Sequence, residues 1–386
     1  SANQITALST TVFAKSDSAH IEGLTTSQVA ALNTAQIKSL TATAMKALSS
    51  GQVESLTTTQ VATLTTSQFN ALDADDVTAM STDQIRSLSN TVIGKMGSAQ
   101  LAALSSDQIA SLTQTQIRSL TTAQVKSLDA DQVGSLTTAQ MAVMSTTQLL
   151  AIDSADFASL STGVIAALST AQVSALSSSQ MRTMTSDQLQ SLTTQQLGVL
   201  KASQFNGIDA TLMESLSLEQ ISGLSTASIA GMDSTHLIAL STDQVASLST
   251  SQVKALTTSE MKWLTDDQVS SLTTAALNVL SSAQIGAIDS ADLVTLSEEQ
   301  VASISTSGLA GLTSGQLSNL LNDQIGALTT LQIKNLKTSQ IAALDTDQIA
   351  ALSTTQLGAI TSLQAAAIES ADLVLLNTDQ IKALTT

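Results

Sequence analysis

The chain has 386 residues, of which 43% are hydrophobic, 12% charged and only 1% aromatic; its formal net charge is −17, and it contains neither cysteine nor proline. The missing cysteines exclude a disulfide scaffold, thiolate metal sites and a cysteine nucleophile. The negative balance opposes binding to nucleic acid or anionic membranes, which requires clustered positive charge. No apolar run approaches the roughly 20 residues of a membrane span, so membrane insertion is not expected.

From Ser1 to Leu384 the chain is written in 48 consecutive octapeptides without an inserted or deleted residue. With Ser9 as position 1 of its octad, position 8 is Leu, Ile or Met in 47 of 48 octads, position 5 is large and apolar in 47 of 48, and position 4 is Gln in 33. Position 1 is Ser, Thr, Asp or Asn at 44 of 49 occurrences. That pattern is a helix start: a capping residue, a glutamine three places on that completes a capping box, and an N′ to N4 apolar pair forming a hydrophobic staple. Thr121 and Gln124 are such a box, with Leu120 and Val125 as the staple. Ten of the fourteen basic residues stand at position 6, for example Lys38, Lys46, Arg86, Arg118 and Lys254, so that position is expected to face water.

One continuous helix is excluded, because at about 100° per residue eight residues overshoot two turns by roughly 80° and the apolar positions would spiral around the rod. Spacings of 3 and 5 put apolar residues on opposite faces of a strand, although a β-solenoid with corners inside each octad is an alternative. The expected fold is all-α: a solenoid of very short capped helices, one per octad over positions 2 to 7, each followed by a sharp redirection. Burying two large side chains falls short of the cost of ordering eight residues, so a lone unit cannot fold and stacking is obligatory. The small residue at position 7 would let neighbours approach closely. With no shift in composition, residues 1–386 read as a single continuous repeat domain. The start at Ser1 rather than Met reads as a processed product or a segment of something longer.

Along the chain a second period appears. Acidic residues occupy position 1 at Asp17, Asp73, Asp129, Asp153, Asp209, Asp233, Asp289, Asp345 and Glu369, in steps of seven or three octads only. If three octads make one turn and seven make two, these 44 octads span 13 turns, or about 3.4 octads and 27 residues per turn, with contacts to the third and fourth octads on. Phe13, Phe69 and Phe205 lie in octads just before an acidic one, and Phe157 lies inside one, marking the same sector. In seven acidic octads the position-4 glutamine is replaced, by His20, Asp76, Asp156, Leu212, His236, Asp292 and Asp372.

The pairs Asp73 and Asp76, Asp153 and Asp156, Asp289 and Asp292, and Glu369 and Asp372 each offer two carboxylates at adjoining helical positions. They are candidate Ca²⁺ ligands if a stacked turn adds a third oxygen. The competing reading is that Asp is a strong N-cap and that acids favour helix N-termini. His20 and His236 each follow an Asp by three residues and are expected to bond it or to face solvent. Serines spread along a uniform array supply no converging triad, so no enzyme and no other cofactor is expected. Trp263 is either an exposed partner contact or a packing irregularity, while Leu218, Leu321 and Leu331 fall at usually polar positions and suit surface contacts.

The run Leu120–Leu128, Leu-Thr-Thr-Ala-Gln-Val-Lys-Ser-Leu, repeated with variations along the chain, resembles octapeptide arrays in large secreted proteins of Gram-negative bacteria that carry adhesin-like or haem-utilisation labels. Two histidines and no pocket signature lend haem binding no support. The same start signal resembles the first helix of TAL-effector repeats, but the second helix, the base-reading loop and the positive charge are missing, and DNA reading is rejected. The expected function is a structural extracellular or cell-surface protein: a subunit of a filament, sheath or appendage that self-associates head-to-tail or laterally. The alternatives are the stalk of an adhesin and, third, an ice- or solute-binding surface built on recurring Thr-Thr pairs.

Overall fold

The computed structural model describes residues 2–384, with side chains from residue 4 onward. Among them lie 46 α-helices and two 3₁₀ helices, one element per octad and no strand. The all-α reading is the fold, and the β-solenoid alternative is not supported. Thr122–Lys126 illustrates the unit. Thr121, at φ −75° and ψ 158°, accepts the main-chain N–H of Gln124 on its hydroxyl, and the Gln124 side chain reaches back to the N–H of Thr121.

The redirection between helices is made by two extended residues in succession. Leu120 has φ −61° and ψ 134°, and Thr121 then continues extended before the next helix begins. No described residue, glycine or other, has a positive φ. The corner therefore tolerates a leucine, and position 8 can turn the chain and fill the core with the same side chain. The cap also helps helices of four to seven residues persist: the first N–H groups of any helix lack an internal partner, in so short a helix they are most of the donors, and the capping box takes up two of them.

Two compact units divide the chain between Leu192 and Thr193. In the first, each helix packs on the third helix after it, as Ser50–Glu54 does on Ala74–Ala79 and Asn90–Gly94 on Gln114–Ser119. In the second the same rule pairs Thr250–Ala255 with Thr274–Val279 and the latter with Glu298–Ser303. Bonds to the fourth octad accompany these contacts in both units, so each unit winds with between three and four octads per turn. The spacing of the acidic residues implied this value.

Positions 5 and 8 form the core. Phe69, Phe157 and Phe205 are fully buried, and Phe13 nearly so. All ten position-6 cations are exposed, as expected. Position 7 lies where turns come closest: a Cβ added to Gly311 would stand 2.0 Å from the Ser282 carbonyl oxygen, three octads back. The two 3₁₀ helices, Ala210–Ser215 and Ser370–Leu373, are both headed by acidic position-1 residues and both lack the position-4 glutamine.

Candidate functional site

The most heavily bonded side chain is the position-4 glutamine, which is buried in most octads. Gln140 shows its full use. Its Oε1 accepts the Thr137 N–H at 2.9 Å and the Thr137 hydroxyl at 3.1 Å. Its Nε2 donates to the carbonyls of Ile109 at 2.8 Å and Leu112 at 2.9 Å, 31 and 28 residues earlier. Both amide hydrogens and the carbonyl oxygen are thus employed, as a buried amide requires. Gln60 and Gln188 repeat the pattern in the first unit, and Gln268 and Gln348 in the second. The result is a ladder from each turn to the octad four places earlier.

Sequence reasoning found the capping half of this residue and missed the ladder half. A signal was present: glutamate closes a capping box as well as glutamine does, yet glutamate stands at position 4 only once, at Glu260. The preference for an amide over a carboxylate marks a need for a donor.

The exceptions test that logic. His236 is buried, its Nε2 donates to the Ile208 carbonyl at 2.9 Å, and that carbonyl lies 28 residues back like the glutamine partners. Its Nδ1 lies 2.7 Å from Asp233 Oδ1, and its ring tilts against Phe205 at 6.1 Å. The expected bond to the aspartate is present, but this histidine is an interior rung rather than a solvent group. His20 pairs with Asp17 and stays exposed. Ser228 donates its hydroxyl to the Leu200 carbonyl at 2.6 Å. Glu260 is the discordant case: Oε2 accepts the Thr257 N–H at 2.6 Å, while buried Oε1 has no partner.

The four candidate calcium pairs sit at helix starts. Asp73 and Asp76 cap one another, Asp76 N–H to Asp73 Oδ1 at 3.0 Å and Asp73 N–H to Asp76 Oδ2 at 3.2 Å, and Ser50 Oγ donates to Asp76 Oδ1 at 3.1 Å. Asp153 accepts the Ala155 N–H and Asp289 the Ser290 N–H. Asp372 accepts the Thr346 hydroxyl at 3.1 Å, whereas Glu369 makes no side-chain cap bond. Burial pushes the carboxyls of Asp76, Asp156 and Asp292 above the ordinary range; for Asp156 the charges of Asp153 and Asp129 add to this, and for Asp292 those of Asp289 and Asp266. Among the described residues no group of three or more carboxylates or histidines is placed to hold a metal ion.

Three carboxyls move the other way. Asp17 is lowered by the His20 N–H and ring, and Asp209 by the Thr211 hydroxyl and N–H. At Asp233 burial opposes ionisation, but the bonds from the His236 ring and main chain outweigh it and the net shift is downward.

Trp263 is 39% exposed at its position 7, and Leu218, Leu321 and Leu331 are more exposed still. Leu321 borders a shallow groove of about 410 Å³ with Leu296, Glu298 and Asp323, and Leu331 one of about 540 Å³ with Thr274, Asn278 and Ile304. Among the described residues no helix is long and apolar enough to cross a membrane.

No curated protein matches the chain. A family model described as the ALTTAQ repeat matches it seven times, at residues 32–66, 77–114, 114–146, 149–186, 229–266, 285–322 and 325–362. The six letters of that name run from position 7 of one octad to position 4 of the next, as in Ser119–Gln124, and so contain the corner, the cap and the ladder glutamine. With these matches spanning well over half of its length, the chain belongs to the ALTTAQ repeat family.

Proposed function

We propose that this repeat protein is structural: a subunit of an extracellular filament, sheath or surface appendage that associates head-to-tail. The observation that carries this reading is the polarity of the ladder. An octad with the glutamine donates from its Nε2 to carbonyls four octads earlier, as Gln252 does to Ile221 and Leu224, and its own carbonyls receive the amide four octads later, as Val253 and Leu256 do from Gln284. A donor-bearing face and an acceptor-bearing face are therefore complementary without being alike, which is the requirement for an open, heterologous contact.

The reading is non-enzymatic. Both ring nitrogens of the buried His236 are engaged, by Asp233 and the Ile208 carbonyl, so it has no free nitrogen with which to act as a base. The resemblance to octapeptide arrays of large secreted bacterial proteins supports a setting at the cell surface, and the charge of −17 disfavours nucleic acid as a partner.

Negative-stain microscopy with sedimentation velocity over a range of concentrations tests the proposal. End-to-end assemblies that lengthen with concentration are expected. Replacing Leu321 and Leu331 by Ser should thin any lateral bundles and leave end-to-end growth intact. Isolated particles at every concentration would overturn the reading.

A further inference from the structure

Glu260 is 1% exposed and occupies a socket that elsewhere holds an amide. Gln252, one octad earlier, donates to the carbonyls of Ile221 and Leu224, and Gln268, one octad later, to those of Leu237 and Leu240. The same register assigns position 260 to the carbonyls of Ile229 and Met232. Glu260 Oε2 takes the capping role toward the Thr257 N–H. By that register its other oxygen, the one without a partner, takes the place that the glutamine Nε2 fills in the neighbouring octads. Oε1 and the two carbonyls are all acceptors; the Ile229 oxygen still receives the Met232 N–H at 3.2 Å, but the socket supplies no donor to Oε1, and one positive charge there removes the conflict.

We propose that this socket binds one small cation, a proton or a sodium ion drawn from solvent, which bridges Glu260 Oε1 to the carbonyl oxygens of Ile229 and Met232. An all-oxygen site suits a hard cation. Occupancy closes this rung of the ladder, and removal of the cation loosens the octad Ser225–Met232 from the octad Thr257–Leu264.

Other charged groups lie near enough to require control. The helix of Glu260, Thr258–Trp263, also carries Lys262; it packs on Ser234–Ile238, which brings His236 and its cap Asp233, and on Ser282–Ile285, which brings no titratable group. The octad that supplies the carbonyls, Ser225–Met232, has none, and the octad four places on, Asp289–Leu296, contributes Asp289 and Asp292.

Hydrogen exchange read by mass spectrometry over residues 225–264 compares the full chain with Glu260→Gln, both also prepared with His236→Gln to silence the neighbouring ring. Each replacement installs the prevailing glutamine, so folding is preserved. Buffers are matched in ionic strength and contain sodium or tetramethylammonium chloride. With Glu260 present, protection of this segment should rise when pH is lowered at fixed sodium, which identifies a proton, or when sodium replaces tetramethylammonium at fixed pH, which identifies the metal ion. Glu260→Gln should reduce that response to the level of the segment around Gln140, which reports the general effect of pH and salt on the array in either protein. Equal responses with and without Glu260, or no response to either cation, would overturn the proposal.

Discussion

Gln140 joins a capping function and an inter-turn function in one side chain, and the two can be separated by substitution. Thr137→Ala removes the cap hydroxyl alone and should cost about 1 kcal/mol. Gln140→Ala leaves the Thr137 N–H and the carbonyl of the buried Leu112 without their side-chain partner, although Ile109 still accepts the Leu112 N–H at 3.1 Å. With a stranded buried group costing about 1–3 kcal/mol and the lost cap bond about 1 kcal/mol, this change should destabilise by about 2–4 kcal/mol. Urea unfolding of both variants checks the order, and equal losses would mean that the Nε2 bonds contribute little. The cap was legible in the sequence because both of its members lie three residues apart. The ladder was not, because its acceptors are main-chain carbonyls 28 and 31 residues away, which have no residue identity to read. His236 shows the same limit: its spacing from Asp233 was visible, but its burial depends on the Ile208 carbonyl and the Phe205 ring.

At the scale of the element, each helix answers to two demands, its own propensity and the nearness of the helix three octads away. Gly51 and Gly311 separate them. Gly51 lies inside Ser50–Glu54, and a Cβ there would meet nothing within 4 Å. Gly51→Ala should therefore stabilise by about 0.5–1 kcal/mol through helix propensity alone. A Cβ at Gly311 would lie 2.0 Å from main-chain oxygen and 2.6 Å from main-chain carbon of Ser282, neither of which can swing aside. Gly311→Ala must push two helices apart, and it should lower the thermal midpoint where Gly51→Ala raises it; shifts of the same sign would contradict this account. The expectation that position 7 mediates close approach came from its small residues. What sequence could not give is which glycines are tight, because that depends on the backbone three octads away. Ala210–Ser215 and Ser370–Leu373 have both lost the glutamine, but so have the α-helical octads of Ala44 and Val164, so the missing amide alone does not set the 3₁₀ form.

For the whole molecule, the acidic residues that reveal the winding also set the response to pH. The spacing of nine acids implied a value between three and four octads per turn because a sector that meets the same surroundings each time round selects the same residue type. Within that sector the carboxyls divide. Asp76, Asp156 and Asp292 are raised above the ordinary value of 3.8, burial being the first cause in each. As pH falls from neutrality toward 3.8, the folded chain takes up protons at these groups before the unfolded chain does, so stability rises. Relief of the self-repulsion that accompanies a net charge of −17 acts in the same direction. Asp17, Asp209 and Asp233 are held below 3.8, so the stability they contribute is present above that value and is lost as pH falls through their folded-state values. Circular-dichroism melts should therefore give a midpoint that climbs on mild acidification, peaks near the ordinary carboxylate value and drops beyond it. Replacing Asp76, Asp156 and Asp292 together by Asn should flatten the climb and leave the drop. A midpoint that falls steadily from neutral pH downward would show that the hydrogen-bonded caps, and not the buried carboxyls, govern the charge balance of the array.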